Sequence, residues 1–207
     1  MERFPYNTLN AENPGISGFG DLYQNINQMN LFISRTLHTD VLTESARNYY
    51  LGQVYGLRAY YMYQLYRSWG DVVFTEEPSL GFEVGKLAKA ATPAAEIFEQ
   101  VKKDIESSLS YFGSDYTIKE KKSLWSKAAT LMLKADVYLW SAHRDGGEGD
   151  ARTAKNALVD IQNNISRSNL DLMDTYQGVF AYDNKGNKEI IFTIHNELFE
   201  YNLRIYY

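Results

Sequence analysis

The chain opens without a hydrophobic period: residues 1–16, with two prolines and scattered asparagines, read as loop. From Ser17 the pattern turns helical. Phe19, Leu22, Tyr23, Ile26, Met29 and Ile33 share one face, a helix of about four turns. A polar link from Ser34 to Asp40 follows. Between Thr43 and Gly70 apolar residues recur at Tyr50, Val54, Leu57, Tyr61 and Leu65, steps of four and three that trace a stripe along a long helix. Thr43 suits its cap, and Glu44 places a negative charge in the first turn, where the helix dipole favours it. Tyr49, Tyr60, Tyr63 and Tyr66 fall off that stripe, so the helix is apolar on more than one side and lies between neighbours. Gly70 and Asp71 end it, and Val72, Val73 and Phe74 leave as a short extended run stopped by Pro78.

A glycine-punctuated loop then reaches Ala91. Thr92 and Pro93 predict a helix start, Thr92 as cap and Pro93 at the first helical position, with Ile97, Val101, Ile105 and Leu109 inward and an end at Phe112 and Gly113. The next helix is predicted from Ser123 to Ala142, with Leu124, Ala128, Leu131, Ala135 and Tyr138 inward. Residues 145–150 read as an acidic turn, and Asp150 as the cap of a fifth helix through Ala154, Leu158, Ile161 and Ile165. Beyond Ser168 the helical period fades. Tyr176, Val179 and Phe180 lead to a turn at 183–187, and the alternation in 189–195 predicts a short strand. Ala59, Ala94 and Ala128 stand 35 and 34 residues apart. That is close to the roughly 34-residue period of tetratricopeptide repeats, where small residues recur at helix crossings.

Composition narrows the function. The 207 residues carry a formal net charge of −5 and no sustained basic run, which argues against nucleic-acid binding. No cysteine is present, so disulfides, thiolate catalysis and cysteine metal sites are excluded. Tyrosine is over-used, with 17 residues, and its apolar ring with a hydroxyl suits both packed helices and wet binding surfaces. No apolar stretch reaches the roughly 18 residues of a membrane span. The chain stays apolar to Tyr207, which gives its end the look of a cut.

The stretch Arg58-Ala59-Tyr60-Tyr61, followed by Leu65-Tyr66 and Trp69-Gly70-Asp71-Val72, resembles the RAYYYF.L....YGDVP segment of the SusD/RagB family, with Val73 where the family has proline. Phe19, Tyr23, Ile26 and Asn30 resemble its W...Y..I...N spacing, and 189–192 its EiIF run. The resemblance covers roughly Ser17 to His195. It implies a mainly α fold, a tetratricopeptide-like helical repeat scaffold over 17–167 and the start of a strand- and loop-rich, ligand-facing part over 168–207, within one domain fragment, 1–207. It further implies a non-catalytic surface lipoprotein of Bacteroidetes-type outer membranes. Such a protein captures oligosaccharide, or in a peptide-capturing branch peptide, and passes it to a SusC-like TonB-dependent outer-membrane transporter docked on the helical faces. On that reading the lipid anchor and export signal lie outside this chain.

Other chemistry is thin. His38, His143 and His195 lack paired spacing for a metal, so neither a metal nor a cofactor is expected. Glu76 and Glu77 offer carboxylates, but glycoside cleavage depends on a spatial separation that sequence does not give. Residues 146–149 are too acidic to cradle phosphate and follow a helix rather than a strand. There remains an aromatic and amide-rich loop. Phe4, Tyr6, Asn7, Asn10 and Asn13 combine rings that stack on sugar C–H faces with amides that take hydroxyls, and they are the candidate ligand-binding residues. Trp69 is expected to pack on the helix end. The rival class is a tetratricopeptide-type scaffold whose groove binds a protein segment.

Overall fold

The computed structural model describes residues 18–81, 88–119 and 121–195. Helix α1 spans Gly20–Leu37 and buries Ile26, Asn30, Ile33 and Thr36. It runs past the expected break at Ser34, because Thr36 continues the buried face by another turn. Helix α2, Glu44–Trp69, starts and stops as predicted: the Thr43 hydroxyl accepts from the Ala46 N–H at 3.3 Å, and Gly70 (φ 75°) donates to the Tyr66 carbonyl at 3.0 Å. Its face differs from the predicted stripe. Tyr50 is exposed and Val54, Leu57 and Tyr61 are half-buried, whereas Leu51, Arg58, Ala59, Met62, Tyr63 and Leu65 are buried. The reason is the expected position between neighbours: no residue from 51 to 66 is exposed, so no single stripe marks the core.

Helix α3, Ala94–Phe112, buries Ile97, Val101, Ile105 and Phe112, and Gly113 (φ 52°) closes it with a bond to the Leu109 carbonyl at 3.0 Å. Thr92 does not cap it. Thr92 and Val72 exchange backbone hydrogen bonds of 3.2 and 2.9 Å, which draws Thr92 into an antiparallel bridge. Asp71 caps in its place, its Oδ1 accepting from the Ala94 N–H at 2.8 Å. The bridge sets the start of α3 beside the end of α2, and Phe112, at the other end of α3, lies against Gly52 near the start of α2, so the two helices run antiparallel. A Cβ on Gly52 would stand 3.0 Å from the Phe112 ring, and one on Gly56 2.1 Å from Nε1 of Trp125. These glycines mark the close approaches. Ala59 and Ala128 are buried, but Ala94 opens α3 half-buried, so the alanine spacing does not mark three equivalent crossings.

Helix α4, Lys127–Ser141, begins later than Ser123, because Ser126 is its cap and the indole of the buried Trp125 turns in to donate to Thr130 Oγ1 at 2.8 Å. Leu124 is consequently exposed. One face of α4 (Ala129, Leu133, Val137) completes a core with α1, α2 and α3; the other (Ala128, Leu131, Ala135) packs on α5. The expected acidic turn is helical: a π-helical turn, Ala142–Gly146, runs into α5, Gly147–Asn163. Asp150 therefore lies inside α5 rather than capping it. Ala154, Ala157 and Ile161 are buried, while Leu158 and Ile165 are exposed, since Ala157 takes the inner position against α4.

The rest is irregular, with one short helix, α6 (Tyr176–Phe180), and a 3-10 turn, Tyr182–Asn184. Residues 189–195 do not form the expected strand: a turn at Lys188 and Glu189, with the Ile190 N–H on the Asn187 carbonyl at 3.3 Å, and a bend at Ile191 break the run, which joins no sheet among the described residues. One ladder-like bond ties Thr193 to the Lys122 carbonyl at 3.0 Å, and Ile191 and Phe192 pack on the main core. Among the described residues no helix is long and apolar enough to cross a membrane.

Candidate functional site

The five candidate residues Phe4, Tyr6, Asn7, Asn10 and Asn13 lie outside the described residues. The described chain starts at Gly18 and Phe19, and Phe19 meets Trp69 edge-on at 5.6 Å. Trp69 thus packs at the helix end, as expected from sequence. This corner, where α1 begins and α2 stops, is the described part of the chain next in sequence to the candidate residues.

From here α1 carries the segment that follows α2. The Tyr23 hydroxyl donates to the Val73 carbonyl at 2.6 Å and the Asn30 amide to the Thr75 carbonyl at 2.6 Å. Asn27 makes a reciprocal pair with the Ser79 backbone at 2.7 and 3.3 Å. Burial pushes the Tyr23 pKa up, so the phenol keeps the proton it donates. Between α1 and this segment lies a cleft of about 300 Å³, walled by Tyr23, Gln24, Asn27, Thr75, Ser79 and Lys89. Most of its polar atoms are spent in holding the segment to the helix.

A charged node underlies the arrangement. Arg58, 2% exposed, grips Asp104, 1% exposed, through Nε and Nη2, both at 2.7 Å, and Nη1 donates to Asn30 Oδ1 at 2.9 Å. Gln100 donates to Asp104 Oδ1 at 2.9 Å, and the Tyr55 ring lies 5.2 Å from the guanidinium carbon. Burial pushes the Asp104 carboxyl up, while Arg58 and Gln100 hold it down. A bidentate pair with its remaining donors and acceptors satisfied is the arrangement that makes a buried charge tolerable. Asn30 and Arg58 belong to the two sequence patterns read above, and here they meet. Glu76 reaches the same node, 3.7 Å from Arg58 and 3.4 Å from Lys103, with Gln100 at 3.2 Å. Its carboxylate is engaged by cations and an amide and shares Arg58 and Gln100 with the buried Asp104 carboxylate.

Sequence reasoning underrated one aromatic segment. Tyr176, Phe180 and Tyr182 are exposed, and the rings of Tyr176 and Phe180 stand 5.0 Å apart. The backbone beneath them is tied by side chains: Thr175 caps Gly178 at 3.1 Å, Asn184 reaches the Gly178 carbonyl at 3.1 Å, and the buried Asn187 bonds the carbonyls of Val179 and Asn184 at 3.0 and 2.8 Å. The available signal was the density of Asn, Asp and Thr around three closely spaced rings, Tyr176, Phe180 and Tyr182. The histidines are not brought together: His38 lies at the end of α1 with Nδ1 donating to the Ser34 carbonyl at 2.8 Å, His143 in the π-helical turn and His195 at the last described residue. No group of three metal-binding side chains forms among the described residues.

Comparison with known proteins gives a consistent picture. Residues 6–139 match the SusD-like family model described as starch-binding associating with outer membrane. A SusD-like protein of Formosa agariphila is 26% identical over 174 residues, 84% of this chain and 31% of that protein. Among solved structures, NanU of B. fragilis is 50% identical with a TM-score of 0.86, covering 98% of this chain and 39% of that one. A SusD superfamily protein from Bacteroides vulgatus is 46% identical with a TM-score of 0.84, covering 97% and 40%. The chain therefore spans two fifths or less of the length of these relatives.

Proposed function

Since this chain belongs to the SusD-like family, a group described as starch-binding and associated with the outer membrane, we propose that it is the helical scaffold of a surface protein that holds an oligosaccharide without cleaving it. The observation that carries this reading is the match through residues 6–139. The matched stretch runs from the candidate loop through α1, α2 and α3 into α4, and so contains the Arg58 node and the corner where the loop joins. In this reading Tyr6 and Phe4 stack on sugar faces, Asn7, Asn10 and Asn13 take hydroxyls, and the scaffold keeps the loop's base rigid so that little ordering is needed on binding. The saccharide then passes to a TonB-dependent transporter, with a lipid anchor in the longer protein holding the complex at the surface.

A glycan array followed by calorimetry on the longer protein tests this, comparing wild type with Tyr6→Ala and Asn10→Ala. Binding without released sugar is expected, and loss of the Tyr6 ring should cost more than ~1 kcal/mol. Released sugar would move the protein to the enzyme class. Peptide binding with no glycan binding would favour the peptide-capturing branch. Glycan binding indifferent to both substitutions would leave the family role intact and remove the site from this loop.

A further inference from the structure

Beside α4 an apolar groove of about 380 Å³ opens between that helix and the run that follows Lys188. Trp125, Ala129 and Leu133 supply its buried part, and the Phe192 ring meets the Trp125 indole edge-on at 5.0 Å. Tyr60, Met132 and Ile190 line the rest. Met132 is exposed, and so is Leu139, two turns further along the same face of α4. Ile194 is exposed as well, just beyond the half-buried Ile191 and Phe192. A contiguous apolar patch of this kind marks a surface that another segment covers.

The backbone beside the groove also asks for a partner. Between Ile191 and Ile194 the Thr193 N–H alone finds an acceptor among the described residues, the Lys122 carbonyl at 3.0 Å. The N–H groups of Ile191, Phe192 and Ile194 are left as at the edge of a sheet, open to a chain laid alongside. Charge contributes little to the choice of that chain. Asp136 has Arg67 at 3.9 Å, and Glu189 accepts from the Met173 N–H at 2.8 Å. Recognition therefore falls to apolar side chains and to backbone.

The sequence that follows has the matching pattern. Phe199, Tyr201, Leu203, Ile205 and Tyr207 are apolar at alternate positions, with Glu200, Asn202 and Arg204 between them. That period gives an extended segment one apolar face. The five steps from Ile194 to Phe199 span about 17 Å when extended, enough for the chain to reverse and return. We propose that residues 199–207 dock in this groove as an extended segment, odd-numbered side chains inward and backbone against 191–194. A short tether holds such a segment at about millimolar effective concentration, which favours it over a separate molecule. Docked there, the segment makes the chain leave the helical scaffold alongside α4 and Tyr60.

Because the chain has no cysteine, introduced pairs report on this contact without interference. In the 207-residue chain, Met132→Cys is combined in turn with Tyr201→Cys, Leu203→Cys or Ile205→Cys, and for the opposite face with Asn202→Cys or Arg204→Cys. Under mild oxidation an intrachain disulfide is expected with at least one odd position, roughly tenfold faster than with either even one. The bond requires Cα atoms within about 7 Å and convergent Cβ directions, so it reads both place and face. Equal rates at odd and even positions would overturn the docked segment. Disulfides formed only between molecules would also overturn it and give the groove to a second copy. Amide exchange supplies the second measurement: Leu203→Asp should speed exchange at 191–194 roughly tenfold, and Arg204→Asp should leave it nearly unchanged. Exchange there that ignores Leu203→Asp overturns the contact even if a disulfide can be trapped.

Discussion

Tyr63 and Tyr176 carry the same side chain and end in opposite settings, the first 0% and the second 81% exposed. The difference separates two ways of building structure in one chain. Around Tyr63, in the four-helix region, order comes from distant neighbours: α2 is enclosed by α1, α3 and α4, and its charged node joins residues far apart in sequence. Around Tyr176 order comes from nearby side chains bonded to backbone, those of Thr175, Asn184 and Asn187 among them. A region of the first kind is stable because it is packed. A region of the second kind holds a shape while leaving its rings to solvent.

Substitutions on the two sides of this divide should differ widely in effect. The largest is expected for Asp104→Ala, which leaves the Arg58 guanidinium buried without its carboxylate; a loss of about 3–5 kcal/mol should appear in urea unfolding. A loss below about 1 kcal/mol would mean that water reaches the node and the packed side of the comparison is overstated. Gly56→Ala comes next. Its new methyl meets the Trp125 indole, and overpacking of about 1–3 kcal/mol outweighs the gain in helix propensity; a rise in melting temperature would show that the indole can yield. Asp71→Ala removes the cap supplied to α3 from outside it and should cost about 1 kcal/mol, with Asp71→Asn retaining most of the stability. Smallest is Tyr176→Ser, expected within about 0.5 kcal/mol of wild type by thermal melting. A larger change there would place Tyr176 in a packed environment and dissolve the contrast.

The same divide governs what could be read from sequence. The ends of α2 were legible because Thr43 and Gly70 act on their own neighbours. The face of α2 was not, because a helix with partners all round has no single apolar stripe. The cap of α3 escaped because Asp71 sits 23 residues from the N–H it serves, and Thr92 offered a local alternative that the bridge to Val72 removed. Asn30 and Arg58 were legible as pattern, but their bond to each other is a fact of three dimensions. Of the candidate loop, sequence supplied the chemistry of Tyr6 and its asparagines, and the described residues supply only the corner at Phe19 and Trp69.

The Arg58 node bears also on how the molecule opens. One guanidinium joins α2 to α1 through Asn30 and to α3 through Asp104, and Asn30 in turn holds the segment at Thr75. Detaching any of these pieces strands a charge or an amide away from water, so they should open together, as one unit in amide exchange, at close to the free energy of global unfolding. Helix α5 packs on α4 through Ala154, Ala157 and Ile161 and is held to the segment after α3 by the Tyr116 hydroxyl, which donates to Asp160 Oδ1 at 2.6 Å; among the described residues nothing joins it to the node, and it belongs to a unit that opens at lower cost. Opening of the corner beside the candidate loop is thereby linked to unfolding of the whole α1–α3 block, while the far side of α4 is left able to breathe.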